Sequence, residues 1–304
     1  MPLSPPVRAA LDALVTALAA GVVLFHMWLV FSGLLPNLVT RPLHMLLALP
    51  FVFLIGAKGG PVARTSGYAL GVVGIAACAW VAWHRDMLAD QYGSLDGPFQ
   101  MALAVALILV VLEMARRAIK WVLPLVAIIA LAYGIWGPYL PGEFGHPGIP
   151  LDSFLGTLVV AEGGLWGPLT GISVNVIAVF IVLGALVGAG DAGTGFMALA
   201  TRLAGRLRAG AAKVSVLSSA LFGSISGSAS ANVASTGAVT LPTMKRLGYP
   251  PDLAAAVEAV ASTGGQIMPP LMGAGAFVMV ELTGIPYTRI MAAALLPALL
   301  YFLT

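Results

Sequence analysis

Six apolar stretches with uncharged interiors recur along the first two thirds of the chain, at 9–31, 42–57, 66–83, 98–115, 121–138 and 169–190. Each approaches the ~20 residues that an α-helix needs to cross the hydrocarbon core of a bilayer. The pattern predicts six spanning helices before residue 191. Helix breakers fall between them: Gly33 and Pro36, Gly59 to Pro61, Gly97 and Pro98, and Pro138, Pro141 and Pro147. Arg8 followed by an apolar run resembles a signal peptide, but the run continues to residue 31 and carries Asp12 early. The expectation is an uncleaved first span.

After Lys213 the pattern changes. Residues 214–223 and 233–243 are apolar but too short to cross, and Gly223-Ser224-Ile225-Ser226-Gly227-Ser228-Ala229-Ser230-Ala231-Asn232 lies between them. Two half-spans around a Gly/Ser tip predict a re-entrant hairpin over 214–243. Lys213 enters it and Lys245 and Arg246 leave it, which returns the chain to the side where basic residues collect. Non-helical backbone at membrane depth requires protein or a water-filled cavity to satisfy it, so such a tip points to a ligand. Carbonyls and serine hydroxyls are hard oxygen ligands suited to a small alkali cation, and half-helix N-termini suit an anion.

Residues 252–283 are long enough for one tilted span, but Ser262-Thr263-Gly264-Gly265-Gln266-Ile267-Met268-Pro269-Pro270 interrupts it. Paired glycines followed by paired prolines do not continue a regular helix, and the missing proline amides are expected to leave carbonyls of the preceding turn without donors. Two successive breaks rich in Ser, Thr and Gly predict discontinuous helices at a transport site. The candidate ion- and substrate-binding residues are Ser224, Ser226, Gly227, Ser228 and Asn232 at the tip, and Ser262, Thr263, Gly264, Gly265, Met268 and Pro269 at the break. A sodium ion is expected at Ser226, Gly227, Ser228, Ser262, Thr263 and Gly264. Glu258 precedes the break by about one turn and would either tune that site or carry a proton.

Composition excludes a water-soluble fold. Of 304 residues 60% are hydrophobic and 9% charged, against about 25% charged in an ordinary soluble domain. The fold class is therefore an all-α, polytopic integral membrane protein. With the N-terminus in the cytoplasm, that side collects Arg8, Lys58, Arg64, Arg116, Arg117, Lys120, Arg202, Arg206, Arg208 and Lys213, while Arg41 and Arg85 face outward. Ten against two is a positive-inside signal, so the net charge of +3 concerns topology and gives no support to nucleic-acid binding. Glu113 is expected to pair with Arg116 and Arg117 one turn on. Asp12, Asp191, Glu281 and Arg289 fall near span ends, where solvation is easy; Arg41 and Arg85 offer a weak docking point for an outer partner. Cys78 lies alone in an apolar run, so no disulfide or cysteine metal site is expected. His26 and His44 read as interhelical hydrogen-bonders rather than haem ligands. No cofactor is expected.

Catalysis is disfavoured. Ser226 precedes Gly227 as in intramembrane serine proteases, but no histidine follows His146, and Ile225 stands where the serine of a G-x-S-x-G elbow would fall. A Gly/Ser re-entrant loop also builds channel filters, which keeps an ion channel as the alternative.

Longer stretches carry a resemblance. LEMARR from Leu112, GPYLPGEFGHPG from Gly137, AEGGLWGPLTGIS from Ala161, FGSISGSASANVASTGAVTLPTMKRLGY from Phe222, VEAVASTGGQIMPPLMGAGAF from Val257 and GIPY from Gly284 resemble the fused permeases of TRAP transporters, tripartite ATP-independent periplasmic carriers, in the branch with a TAXI-type binding protein. The resemblance implies a four-span, small-subunit-like scaffold over 1–117 and the N-terminal part of the large transport subunit over 118–304. It further implies an elevator-type carrier of two inverted repeats in the bacterial inner membrane, taking up small organic acid anions (carboxylates) with Na+ or H+. Its partners would be a periplasmic TAXI-type solute-binding protein and membrane lipid. Only the first repeat is recognisable, and the last apolar segment, from near Ile290, runs to Thr304. The expectation is a fragment, or a chain completed by a partner, that does not transport alone.

Overall fold

The structure is a computed structural model and describes residues 5–33, 35–55 and 60–303; Lys58, Gly59 and Thr304 lie outside them. Every regular element among the described residues is helical, and six helices are long and apolar enough to cross a membrane. These spans are Arg8–Phe31, Asn37–Ile55, Pro61–Trp83, Gly97–Ile119, Val122–Tyr139 and Pro168–Leu186. Each overlaps a predicted run. The second begins earlier than residue 42 because hydropathy marks the apolar part of a helix and misses a polar end such as Asn37, Thr40 and Arg41.

The chain divides into two compact units, Met1–Val174 and Asn175–Thr304. The first holds α1 (Pro5–Phe31), α2 (Asn37–Pro50), α3 (Pro61–Trp83), α4 (Arg85–Asp90), α5 (Gly97–Ile119), α6 (Val122–Trp136), α7 (Leu151–Val159) and α8 (Pro168–Ile172). Its core is apolar: Leu49, Phe53, Cys78, Val81, Leu107, Val110, Val159 and Trp166 are sealed from solvent. Gly74 lets α3 approach, since a Cβ there would fall 2.8 Å from Leu49 Cδ1 and 2.9 Å from Val110 Cγ1. Residues 151–166, which fall between the predicted spans 121–138 and 169–190, contribute Leu155, Val159, Val160 and Trp166 to that core, and the Trp166 indole donates to the Val159 carbonyl at 2.6 Å.

Several polar groups of this unit are paired. Glu113 accepts from Arg116 at 2.6 and 2.7 Å and from Arg117 at 2.8 Å, as its spacing predicts, and Arg117 also donates to the Ala63 carbonyl. His26 and His44 join α1 to α2 through a 2.8 Å contact between ring nitrogens, and the far nitrogen of His44 meets Ser173 Oγ at 3.1 Å. Arg41 donates to the Trp166 carbonyl, and Arg85 pairs with Asp86.

The second unit holds α9 (Ala178–Ala189), α10 (Ala192–Ala204), α11 (Gly210–Ser226), α12 (Ala229–Arg246), α13 (Pro251–Gly264), α14 (Ala274–Thr283) and α15 (Tyr287–Leu303). Helices α11, α12 and α13 pack on one another. Two sequence expectations need correction. The arms of the hairpin have 17 and 18 residues, so each is a nearly full span of ~25–27 Å and the irregular tip shrinks from ten residues to Gly227 and Ser228. Serine and threonine are accommodated within the helices, where their hydroxyls are satisfied by carbonyls one turn back: Ser218 to Ser215, Ser224 to Leu221, Thr236 to Asn232 and Thr240 to Thr236. The break moves as well. Ser262, Thr263 and Gly264 end α13, and the non-helical stretch is 265–273.

Candidate functional site

The tip is a two-residue reversal. Gly227 takes the left-handed conformation (φ +59°) and its N–H closes on the Gly223 carbonyl at 3.0 Å, the C-cap that glycine permits without strain. Ser228 then caps α12 by accepting from the Ala231 N–H at 3.3 Å.

The structure brings this tip to the break. The Leu271 N–H donates to the Ser224 carbonyl at 3.0 Å. A Cβ on Gly223 would lie 2.3 Å from Gly265 Cα, and a Cβ on Gly227 would lie 2.2 Å from the Met272 carbonyl oxygen. Both crossings are backbone on backbone, so only glycine fits. The Tyr287 hydroxyl reaches the Pro270 and Leu271 carbonyls, at 2.7 and 2.6 Å, and anchors the far side of the break. A cavity of about 180 Å³ lies at this junction, lined by Phe180, Ile181, Ser226, Ser228, Met272 and Phe277 among others. Phe180 and Phe277 stack on its wall with centroids 4.9 Å apart. Ser226 Oγ is buried there without a hydrogen-bond partner, and an unpaired buried hydroxyl costs roughly 1–3 kcal/mol.

The remaining predicted residues divide. Asn232 sits within α12, where its amide nitrogen donates to the Ser219 carbonyl at 2.8 Å and meets the Ser262 carbonyl at 3.5 Å. Thr263 is exposed and bonds back to Ala259, and Gly264 packs against the rings of Tyr301 and Phe302. Met268 and Pro269 are half-buried within the break. The idea that the prolines free carbonyls of the preceding turn does not hold. The carbonyls of Ser262, Thr263, Gly264 and Gly265 accept from the N–H groups three residues on, at 3.1–3.4 Å, because the chain tightens into turns after α13. The Ser262 hydroxyl goes to Glu258. The carbonyls of Ser262, Thr263 and Gly264 and the Ser262 hydroxyl are thus hydrogen-bonded within the protein, as are the carbonyl and hydroxyl oxygens of Ser228, whereas Ser226 Oγ is not.

Glu258 stands at the centre of a second polar cluster. It is 1% exposed. One carboxyl oxygen accepts from Thr236, Ser262 (3.3 Å) and Ser219 (3.4 Å); the other accepts from Ser215 (2.6 Å) and Thr240. Sequence reasoning missed Ser215, Ser219, Thr236 and Thr240. The signal was present as polar positions four apart: 215 and 219 on α11, 232, 236 and 240 on α12, and 258 and 262 on α13, one stripe per helix.

The model of the family described as "Tripartite ATP-independent periplasmic transporter, DctM component" matches residues 105–304. A protein of Sinorhizobium fredii described as uncharacterized is 34% identical over 40% of this chain and 28% of its own length. The isethionate TRAP transporter permease protein DctMQ of Oleidesulfovibrio alaskensis is 31% identical over 43% of this chain and 24% of its own length. The C4-dicarboxylate TRAP transporter large permease protein DctM of Pseudomonas aeruginosa is 34% identical over 31% and 22%. The chain thus spans between a fifth and a third of the length of these relatives. No solved structure matches it at comparable stringency.

Proposed function

The chain belongs to the DctM component family of tripartite ATP-independent periplasmic transporters, and from that premise we propose that it is a membrane permease component of an ion-driven secondary carrier for small organic acid anions. The family is one of transporter permeases and not of enzymes. In this reading the chain is a multi-pass protein of the bacterial inner membrane with a cytoplasmic N-terminus. Residues 1–117 form the small-subunit-like scaffold of a fused permease and 118–304 begin the large subunit; the family match from residue 105 supports that join. A periplasmic TAXI-type solute-binding protein delivers the anion, and a second inverted repeat closes the site. The greater length of the relatives supports the second repeat. The relatives' names, with isethionate and C4-dicarboxylate, support a small organic anion as cargo.

One observation carries the assignment of the site: the unpaired hydroxyl of Ser226, buried in a small cavity where the hairpin tip meets the broken stretch. A coupling cation, Na+ in this reading, is cargo that would use this oxygen with the neighbouring carbonyl of Gly227. The adjacent N-terminus of α12 favours an anion. The test is uptake by the complete carrier containing these residues, in proteoliposomes with its binding protein, under imposed sodium or proton gradients. Saturable, gradient-dependent uptake is expected, with weaker ion activation in Ser226→Ala. Unsaturable, ohmic conductance would favour the channel reading, and uptake indifferent to both gradients would remove ion coupling.

A further inference from the structure

Positive charge is concentrated where the helices of the second unit turn. Between Asp191 and Asp252 the sequence carries Arg202, Arg206, Arg208, Lys213, Lys245 and Arg246 and no acidic residue. All six side chains are exposed, and among the described residues none of them forms an ion pair. Arg202 lies in the last turn of α10, Arg206 and Arg208 in the link to α11, Lys213 in the first turn of α11, and Lys245 and Arg246 in the last turn of α12. A small cavity lined by Thr201, Gly205, Ala211, Thr243 and Leu247 joins these helix ends, so the six cations share one end of the unit. Asp252 opens α13 at that end and offsets one of them.

An apolar groove opens beside this end. Its volume is about 640 Å³, and it is lined by Ala204, Lys213 and Leu217 of α10 and α11 and by Val257, Val260 and Phe302 of α13 and α15, among others. That size lies within the ~300–1,000 Å³ of ligand pockets. Two lining side chains carry polar groups, Lys213 and Tyr301. The Tyr301 hydroxyl donates to the Val260 carbonyl at 2.7 Å, which leaves the Lys213 ammonium as the charge on the rim. From Lys213 the groove runs along α11 to Leu217, about one turn away from the basic end.

We propose that this groove seats an acyl chain of an anionic phospholipid whose phosphate lies against Lys213, within the field of Arg206 and Arg208. Groove and rim do different work. Methyl groups select nothing in a bilayer, because lipid tails are as apolar as leucine and gain only close packing. Selection comes from the charge: basic pockets between membrane helices take anionic headgroups, and each Lys or Arg near the surface is worth about fivefold in affinity. The ammonium of a lysine suits this place, since its four-carbon stem follows an apolar wall while the charge stays at headgroup level.

Other occupants match one half of the site. A second copy of the chain would bring its own six cations to the same end, where like charges repel. A further apolar segment of the carrier would fill the groove and leave the rim without a counter-charge. Free phosphate would meet the rim and leave the groove unused. An anionic phospholipid supplies both the tail and the charge. The proposal needs only that the protein lies in a bilayer; that this end faces the cytoplasmic leaflet belongs to the carrier reading above.

Native mass spectrometry of the complete carrier containing these residues, in detergent, reads the lipid without any uptake. The probes are dioleoyl phosphatidylglycerol and dioleoyl phosphatidylcholine, which share their acyl chains and differ in headgroup charge. Phosphatidylglycerol should bind about fivefold more tightly. Lys213→Gln should lose most of that preference, Lys213→Arg should keep it, and Val260→Trp, which fills the groove, should weaken both lipids. Lys213 is exposed and Val260 is 58% exposed, so these variants keep the fold. Equal binding of the two lipids by the wild type, as a groove filled by another segment or an unselective lipid shell would give, overturns the proposal. So does a preference unchanged in Lys213→Gln, binding unchanged in Val260→Trp, or displacement of the lipid by inorganic phosphate. A carrier that binds phosphatidylglycerol in this way yet moves no anion would count against the carrier reading alone.

Discussion

The two units bury different chemistry. Around α2, α3 and α5 the buried side chains are mostly Leu, Val, Phe and Ala, with Met45, Cys78 and two polar exceptions, Thr40 and Gln100, near the helix starts. Around α11, α12 and α13 they include Ser215, Ser218, Ser219, Asn232, Thr236, Thr240, Glu258 and Ser262, and their partners are specific donors and acceptors. Lipid tails are as apolar as leucine, so burying methyl groups between helices in a bilayer yields only the gain from close packing. The first unit depends on shape. The second depends on small residues that bring backbones together and on hydroxyls that meet a carboxyl group, which fixes helix register more narrowly than shape alone.

Substitutions can break this contrast, and the largest effect is expected at the glycine crossing. Gly265→Ala puts a Cβ 2.6 Å from Gly223 Cα, and backbone cannot swing aside, so roughly 3 kcal/mol of stability should be lost. Gly74→Ala in the first unit meets the ends of Leu49 and Val110 and should lose about 1 kcal/mol. Equal losses for the two variants, in denaturant unfolding in detergent, would erase the distinction. Next comes Phe53→Ala, which empties a sealed site in the apolar core. About 3 kcal/mol is expected, the low end for such truncations, because lipid replaces water in the reference state. A loss under ~1 kcal/mol would mean that the core collapses on the gap.

Thr240→Val tests the polar core at almost unchanged volume. It deprives a buried carboxyl oxygen of a partner and should cost about 2 kcal/mol. A neutral or stabilising result would show that the hydroxyls are not what holds α12 to α13. The smallest effect belongs to Ser228→Ala, which removes the cap of α12 and should cost about 1 kcal/mol. Hydrogen exchange at Ala231 reads it locally; unchanged protection there would dismiss the cap.

Much of this was legible in the sequence. The six spans follow from apolar length, and the hairpin and break follow from Gly, Ser and Pro in the right order. Their edges were not legible, because hydropathy treats serine and asparagine as interruptions, whereas Ser224 in α11 is helical and bonded to the preceding turn and Asn232 in α12 is helical and bonded across to α11. The Glu258 cluster was half-legible. Glu258 stood out as a charge in an apolar setting, but its hydroxyl partners come from three helices, and only the four-residue spacing on each marks them as one face. The folding of residues 151–166 into the first core gave no advance sign, since Pro and Gly on both sides of Leu151–Val159 read as loop.

The length of the hairpin arms has an electrical consequence. An 18-residue helix is ~27 Å long, and the hydrocarbon layer that sustains most of the membrane potential is ~30 Å thick. If α12 stands upright with Lys245 and Arg246 at one face, a cation at Gly227 has crossed most of the field. Each full crossing is worth ~2.3 kcal/mol per charge at 100 mV, so occupancy of the tip would depend on voltage.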